Sequence, residues 1–161
     1  MRVAARPMPQ RSRRALLGNP VFKAFAAQPL AAGIQLDQAI DVRMAFEQVA
    51  QGKATRADRQ SLAGVANCVA MLAAKHCAQV DQDAAEAAQM AILRADARVM
   101  NGASAWNFDD EGRLAVLVML DIFEQQIAQL GRAAVVDALL TVIDHIQRGN
   151  THRIETVRSQ E

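Results

Sequence analysis

The chain has 161 residues and a formal net charge of +1, and 52% of its residues are hydrophobic. This length suits one domain, and the composition is that of a globular protein rather than a disordered one. Aromatic residues make up only 4% of the chain and tyrosine is absent. A core of Ala, Leu, Val, Ile and Met packed between helices is therefore favoured over a β-sheet.

Charge is distributed unevenly along the chain. Residues 1–35 contain six basic residues and no acid, whereas the remainder contains twelve basic and seventeen acidic residues. All four prolines also fall in this first part, and proline breaks helices and fixes extended or turn conformations. We predict a basic, partly disordered and largely irregular N-terminal arm over residues 1–35. Within it, Val21, Phe22, Phe25 and Leu30 are apolar enough to dock on the body.

From residue 36 onward, apolar residues recur every three or four positions, which is the spacing of helices that bury one face. The first helix is predicted over residues 36–51, and Gly52 ends it. In the second, Thr55 followed three residues later by Asp58 is typical of a capping box. The predicted buried stripe of the second helix consists of Leu62, Val65, Val69, Leu72, His76 and Val80.

The third helix is predicted to begin at Asp81 or Asp83 as its N-cap and to end before Gly102. Three acids at residues 109–111 open the fourth helix. Apolar residues between 114 and 130 form a stripe along the fourth helix, and near the start of the helix they cover most of its circumference. A helix of this kind lies at the centre of a bundle or at a subunit interface, so one expectation is a homodimer through helix 114–130.

The fifth helix is predicted to contain an apolar stripe and to be closed by Gly149 and Asn150. The residues of this stripe are Val136, Leu139, Leu140, Ile143 and Ile146. Helix lengths and short connectors of this kind suit an up-and-down or orthogonal bundle. The fold class predicted is therefore all-α, an about five-helix bundle over residues 36–150 behind the basic arm. Residues 151–161 form a polar tail.

The two cysteines indicate neither a disulfide nor a metal site. Cys68 and Cys77 lie nine residues apart in one predicted helix, and 3.6 residues per turn place them on opposite faces. A reducing compartment, the cytoplasm, is the natural location for such thiols. His76 lies next to Cys77, but adjacent helix positions point about 100° apart and their side chains do not meet. His76 is therefore predicted to be a structural, buried or boundary histidine.

Recognisable catalytic chemistry is missing from the sequence. It contains no glycine-rich phosphate loop, no H-E-x-x-H, no G-x-S-x-G and no paired C-x-x-C. The longest apolar run, Leu114 to Leu120, is far shorter than a membrane span. We therefore expect a protein that is not an enzyme, with no cofactor, no bound metal and no membrane contact; an enzyme that uses His76 or Cys77 is a remote alternative.

Four arginines of the arm are the first candidate functional residues: Arg6, Arg11, Arg13 and Arg14. In a flexible segment they could neutralise the phosphates of DNA or RNA. They could equally grip the acidic body of a second subunit. A solvated terminus without any partner is the third alternative.

Trp106 and Phe108 are the second candidate, since they place two large aromatic side chains near a helix start. Exposed aromatic residues of this size often anchor a protein partner. The alternative is that they plug the end of the bundle, where buried aromatic residues are common.

The junction of the first two helices carries a distinctive segment. It reads Gln51, Gly52, Lys53, Ala54, Thr55, Arg56, Ala57 and Asp58, followed by Leu62 and Asn67. With the Arg-rich start and the step Asn19, Pro20, Val21, this layout resembles a group of small uncharacterised helical proteins carried by phages, prophages and plasmids of proteobacteria. The resemblance implies a mobile-element context and an accessory role, and it implies no reaction and no catalytic residues.

Two functions remain as hypotheses from the sequence. The first is a non-enzymatic accessory protein of a mobile element that acts by protein–protein interaction, a class that includes inhibitors of host defence or of a competing element. It is based on the surplus apolar surface of the fourth helix. The second is a nucleic-acid-binding accessory factor or regulator that uses the Arg-rich arm.

Overall fold

The structure is a computed structural model that describes Ala24, residues 27–76 and residues 78–148, apart from the side chain of residue 146. Within these residues the fold is all-α, as predicted, and contains no strand. Five helices are described from their first to their last residue: α1 (Ala32–Ala50), α2 (Arg56–His76), α3 (Gln79–Met100), α4 (Asp110–Gln129) and α5 (Arg132–Gln147). None of these described helices is both long enough and apolar enough to cross a membrane.

Two central helices, α2 and α4, organise the bundle. They pack against each other, and each also packs against α1, α3 and α5. The three outer helices contact this pair rather than one another in the described part of the chain. The core between them includes the fully buried Leu62, Leu72, Val116, Leu120 and Phe123. The fourth helix is therefore central to the bundle, the first of the two positions considered for it from the sequence.

The first helix begins earlier than predicted, at Ala32, so residues 32–35 belong to the bundle and not to an irregular arm. Its start is fixed by the preceding turn. Leu30 is buried against the core, and the Gln35 side-chain amide donates a hydrogen bond to the Leu30 carbonyl at 2.6 Å. The docking of Leu30 is thus confirmed, whereas Val21, Phe22 and Phe25 lie outside the described residues.

The boundary between α2 and α3 also differs from the prediction. Helix α2 ends at His76, which is exposed, and Val80 is exposed on the next helix. The expectation that these two side chains share the buried stripe of one helix is therefore wrong. The N-cap of α3 is Ala78 rather than an aspartate, and its amide donates to the carbonyl of Ala73 at 3.0 Å to close the end of α2.

Candidate functional site: two apolar stripes on the outer helices

Helix α1 carries an apolar stripe on its outer side, formed by Leu36, Ile40 and Met44 and called here the α1 stripe. These three side chains are between 45% and 60% exposed. Residues four apart are neighbours on a helix surface, so they form one continuous strip. The opposite side of α1 is buried in the core through Val42 and Phe46, among others. Helix α1 is therefore apolar on two faces, of which the described body covers one.

A shallow hollow of about 330 Å³ lies over the α1 stripe. The described residues that line it are Ala39, Ile40, Arg43, Met44, Glu47 and Gln48. All of them belong to α1, so the described body supplies one wall only.

Helix α5 carries a second apolar stripe, formed by Val136, Leu140 and Ile143 and called here the α5 stripe. Their intervals of four and three residues place them on one face, and they are between 39% and 54% exposed. The other side of α5 is buried, with Val135 and Val142 packed into the core. Like α1, this helix uses one apolar face for the bundle and leaves a second at the surface.

Charges around the two stripes differ. On α5, Asp137 accepts from the Lys75 ammonium at 2.6 Å, and Asp144 pairs with Arg148 at 3.0 Å. The carboxylates that flank the α5 stripe are therefore already neutralised. An apolar partner surface could therefore bind at this stripe without burying a carboxylate that lacks an ion-pair partner.

On α1, by contrast, Asp37, Asp41 and Glu47 form no ion pair with any described residue. The single basic residue of the helix, Arg43, points to α4, where its Nε donates to Glu124 at 2.7 Å and its Nη2 donates to Asp121. The hydrogen bond to Glu124, followed by the one to Asp121, raises the pKa of Arg43. The α1 stripe is therefore bordered by unneutralised negative charge.

The predicted aromatic pair lies inside the bundle end. Trp106 is only 5% exposed, and its Nε1 donates to the Asp96 carboxylate at 2.7 Å. The Arg59 guanidinium lies 5.8 Å from the centre of the indole ring, and Phe108 packs edge-on against it at 5.2 Å. These contacts fit the bundle-end alternative and contradict an exposed partner anchor at Trp106.

The described part of the chain contains neither a metal-binding cluster nor a reactive thiol. It contains no cluster of three or more His, Cys, Asp or Glu side chains that could hold a metal ion. Cys68 is fully buried, and this burial raises the pKa of its thiol to about 12. The thiol therefore stays protonated and unreactive at neutral pH.

The remaining candidates are Cys77, the arm and the fourth helix. Cys77 and the four arm arginines, Arg6, Arg11, Arg13 and Arg14, lie outside the described residues. On α4, the proposed dimer helix, the large apolar side chains that are exposed are Leu114 and Val118. The homodimer through helix 114–130 stays a prediction.

Val136, Leu140 and Ile143 were predicted to belong to the apolar stripe of the fifth helix, but their exposure was not predicted. The α1 stripe was not predicted. The signal was present for α1, because Leu36, Ile40 and Met44 recur every four residues. A second apolar face on one helix is hard to recognise from spacing alone, since spacing does not show which face the neighbouring helices cover.

Comparison of the chain with models of protein families, with characterised proteins and with solved structures finds no significant match.

Proposed function

We propose that the protein is a non-enzymatic accessory protein that binds another protein, and that the α5 stripe is the docking face. The observation that carries this proposal is a continuous apolar strip on an outer helix whose flanking carboxylates are already paired. Such a face suits an amphipathic helix of a partner, which would place its own apolar side chains at the same intervals. The resemblance of the sequence to proteins of mobile elements supports a partner from the host or from a competing element.

The strength of this contact can be estimated from the area involved. Complete burial of a Val, Leu or Ile side chain contributes about 1.5 to 3 kcal/mol. The three stripe residues are about half exposed, so covering them contributes roughly 1 kcal/mol each. A total of about 3 kcal/mol is too small for stable association alone. The partner must therefore add contacts around the stripe.

The test is a comparison of partners captured by three full-length tagged proteins. Leu140→Lys places a charge in the α5 stripe, and His145→Lys places the same charge at another exposed position of α5. We expect a host protein to be captured by the wild type and by His145→Lys and lost with Leu140→Lys. For the purified partner, the Kd should rise at least about tenfold for Leu140→Lys, which corresponds to 1.4 kcal/mol. Equal capture by all three proteins would refute the proposal.

The second candidate is nucleic-acid binding by the arm, and it is favoured by six basic residues without an acid in residues 1–35. Here Arg6, Arg11, Arg13 and Arg14 would contact phosphates. Binding of DNA or RNA should then fall steeply with salt and be insensitive to Leu140→Lys. Repeating the capture after nuclease treatment separates the two candidates, because a partner held through nucleic acid is released.

A further inference from the structure

We propose that the α1 stripe is a docking site for the chain's own N-terminal segment, residues 13–26. This segment would lie back along α1, with its apolar side chains on the stripe and its basic side chains against the carboxylates beside it. The proposal concerns α1 only and does not depend on the partner proposed for α5.

The acidic residues beside the α1 stripe favour a basic segment as its binding partner. Asp37 and Asp41 are four residues apart on one side of α1, and like charges at this spacing repel each other. Neither they nor Glu47 has an ion-pair partner among the described residues. A basic segment would relieve this repulsion, whereas a second copy of the same face would add to it.

The composition of the segment matches the face. Residues 13–26 contain three basic residues and no acid. The same stretch contains five large apolar residues, Leu16, Leu17, Val21, Phe22 and Phe25. The α1 stripe offers the complementary combination of an apolar strip, a hollow of about 330 Å³ and an acidic border. The α5 stripe lacks the last of these, because Lys75 and Arg148 neutralise its carboxylates.

The connection to α1 places the segment within reach. The backbone amide of Arg132 donates to the Gln28 carbonyl at 2.7 Å, and Leu30 is buried, so the chain enters α1 from a fixed point. From Leu36 to Met44 the stripe is about 12 Å long, at 1.5 Å per residue. The fourteen residues 13–26 span about 20 Å even when fully helical. A tether this short gives a high effective concentration, so a weak contact is enough to keep the segment docked.

Methionine oxidation measures whether the α1 stripe is covered. Met44 is 58% exposed, whereas Met90 on α3 is 45% exposed and Met100 is 87% exposed. Oxidation by peroxide follows exposure, so an uncovered Met44 should react faster than Met90. If the segment is docked in at least four molecules of five, Met44 in the full-length chain should instead react about fivefold more slowly than an uncovered site. Peptide mass spectrometry after short peroxide pulses gives the three rates in one sample.

Substitutions identify what covers Met44. In the full-length chain, Phe22→Glu with Phe25→Glu should restore the fast reaction of Met44 and leave Met90 and Met100 unchanged. Asp41→Lys, at an exposed position, should act in the same direction by removing the acidic border. Leu140→Lys on α5 is the control that should have no effect on Met44.

Three results would overturn the proposal. One is a wild-type Met44 that reacts faster than Met90. Another is protection of Met44 that disappears on dilution, since a second copy of the chain would then be the cover. The third is protection that is lost after nuclease treatment, which would mean that nucleic acid covers the stripe. Protection that survives dilution and nuclease and is lost with the Phe22 and Phe25 substitutions supports the intramolecular contact.

Discussion

Trp106 shows how one residue can close an end of the bundle. A buried indole N–H needs an acceptor, and Asp96 on α3 supplies it at 2.7 Å. The same Asp96 oxygen also accepts from Arg59 of α2 at 3.3 Å. The connector before α4 is thus attached to both α2 and α3 through one carboxylate.

Replacement of Trp106 by phenylalanine should lower the free energy of unfolding by about 2 kcal/mol, because it removes this hydrogen bond and part of the buried ring volume. Urea unfolding followed by circular dichroism measures the change. Asn107→Ala is the matched control, since Asn107 is exposed and its contact with Arg98 uses its backbone carbonyl. The control should cost less than about 0.5 kcal/mol. Similar losses for both variants would contradict the assigned role of the indole.

Contacts between residues close in sequence could be predicted, whereas contacts between residues on different elements could not. The capping box was readable because Thr55 and Asp58 are three residues apart, and Asp58 indeed accepts hydrogen bonds from the Thr55 amide and hydroxyl, each at 2.7 Å. The environment of Trp106 depends on Asp96 and Arg59, which belong to other elements. Spacing along the chain does not show such contacts, so the sequence alone leaves both alternatives for Trp106 open.

At the scale of helices, the centres were predicted better than the ends. Helix α4 begins as predicted, since Asp109 is its N-cap and accepts from the Gly112 amide at 2.7 Å. The break between α2 and α3 was predicted, but too late in the chain, because Ala78, the N-cap of α3, makes no side-chain capping bond. Nothing in the side chains marked this break, whereas Asp81 and Asp83 resembled caps.

Two helical glycines provide a test of how tightly the central helices are packed. A Cβ added at Gly64 of α2 would lie 3.8 Å from the Val142 side chain, an ordinary contact. A Cβ added at Gly112 of α4 would lie 2.8 Å from the Asp109 carboxylate and 3.0 Å from the Ala91 Cβ. Helix propensity alone favours alanine over glycine at both positions.

We therefore expect opposite signs for the two alanine substitutions. Gly64→Ala should raise the free energy of unfolding by up to about 1 kcal/mol. Gly112→Ala should lower it by about 1 to 3 kcal/mol, because the added methyl group overpacks the contact with α3 and displaces the cap. Each variant serves as the control for the other in parallel urea titrations. An increase in stability for Gly112→Ala would show that α4 and α3 are less closely packed than described.

Across the whole molecule, the uneven charge was predictable, whereas the exposure of the two apolar stripes was not. Counting residues is sufficient to find a basic first part and an acidic remainder. Whether a second apolar face of a helix is buried depends on how many neighbours surround that helix. Helices α1 and α5 lie outside the α2 and α4 pair, so their second faces remain at the surface, while the apolar surface of α4 is mostly buried.

The central position of α2 and α4 also links two carboxylates to the stability of the whole fold in acid. Hydrogen bonds from the Thr55 side chain and then its backbone amide lower the pKa of Asp58 at the start of α2. The Gly112 amide, followed by Arg98, lowers the pKa of Asp109 at the start of α4. In the unfolded chain an aspartate has a pKa of about 3.9, so the unfolded state binds more protons when the pH falls toward this value.

Both carboxylates should therefore stabilise the protein fully above about pH 5, and this contribution should be lost as the pH falls through their lowered folded-state pKa values. Asparagine also caps helices but does not titrate. We expect urea midpoints of Asp58→Asn with Asp109→Asn to fall less steeply between about pH 5 and pH 2.5 than those of the wild type. Asn107→Ala, which alters an exposed side chain that does not titrate, should retain the wild-type slope. A double variant with the wild-type slope would mean that the acid sensitivity originates in other groups.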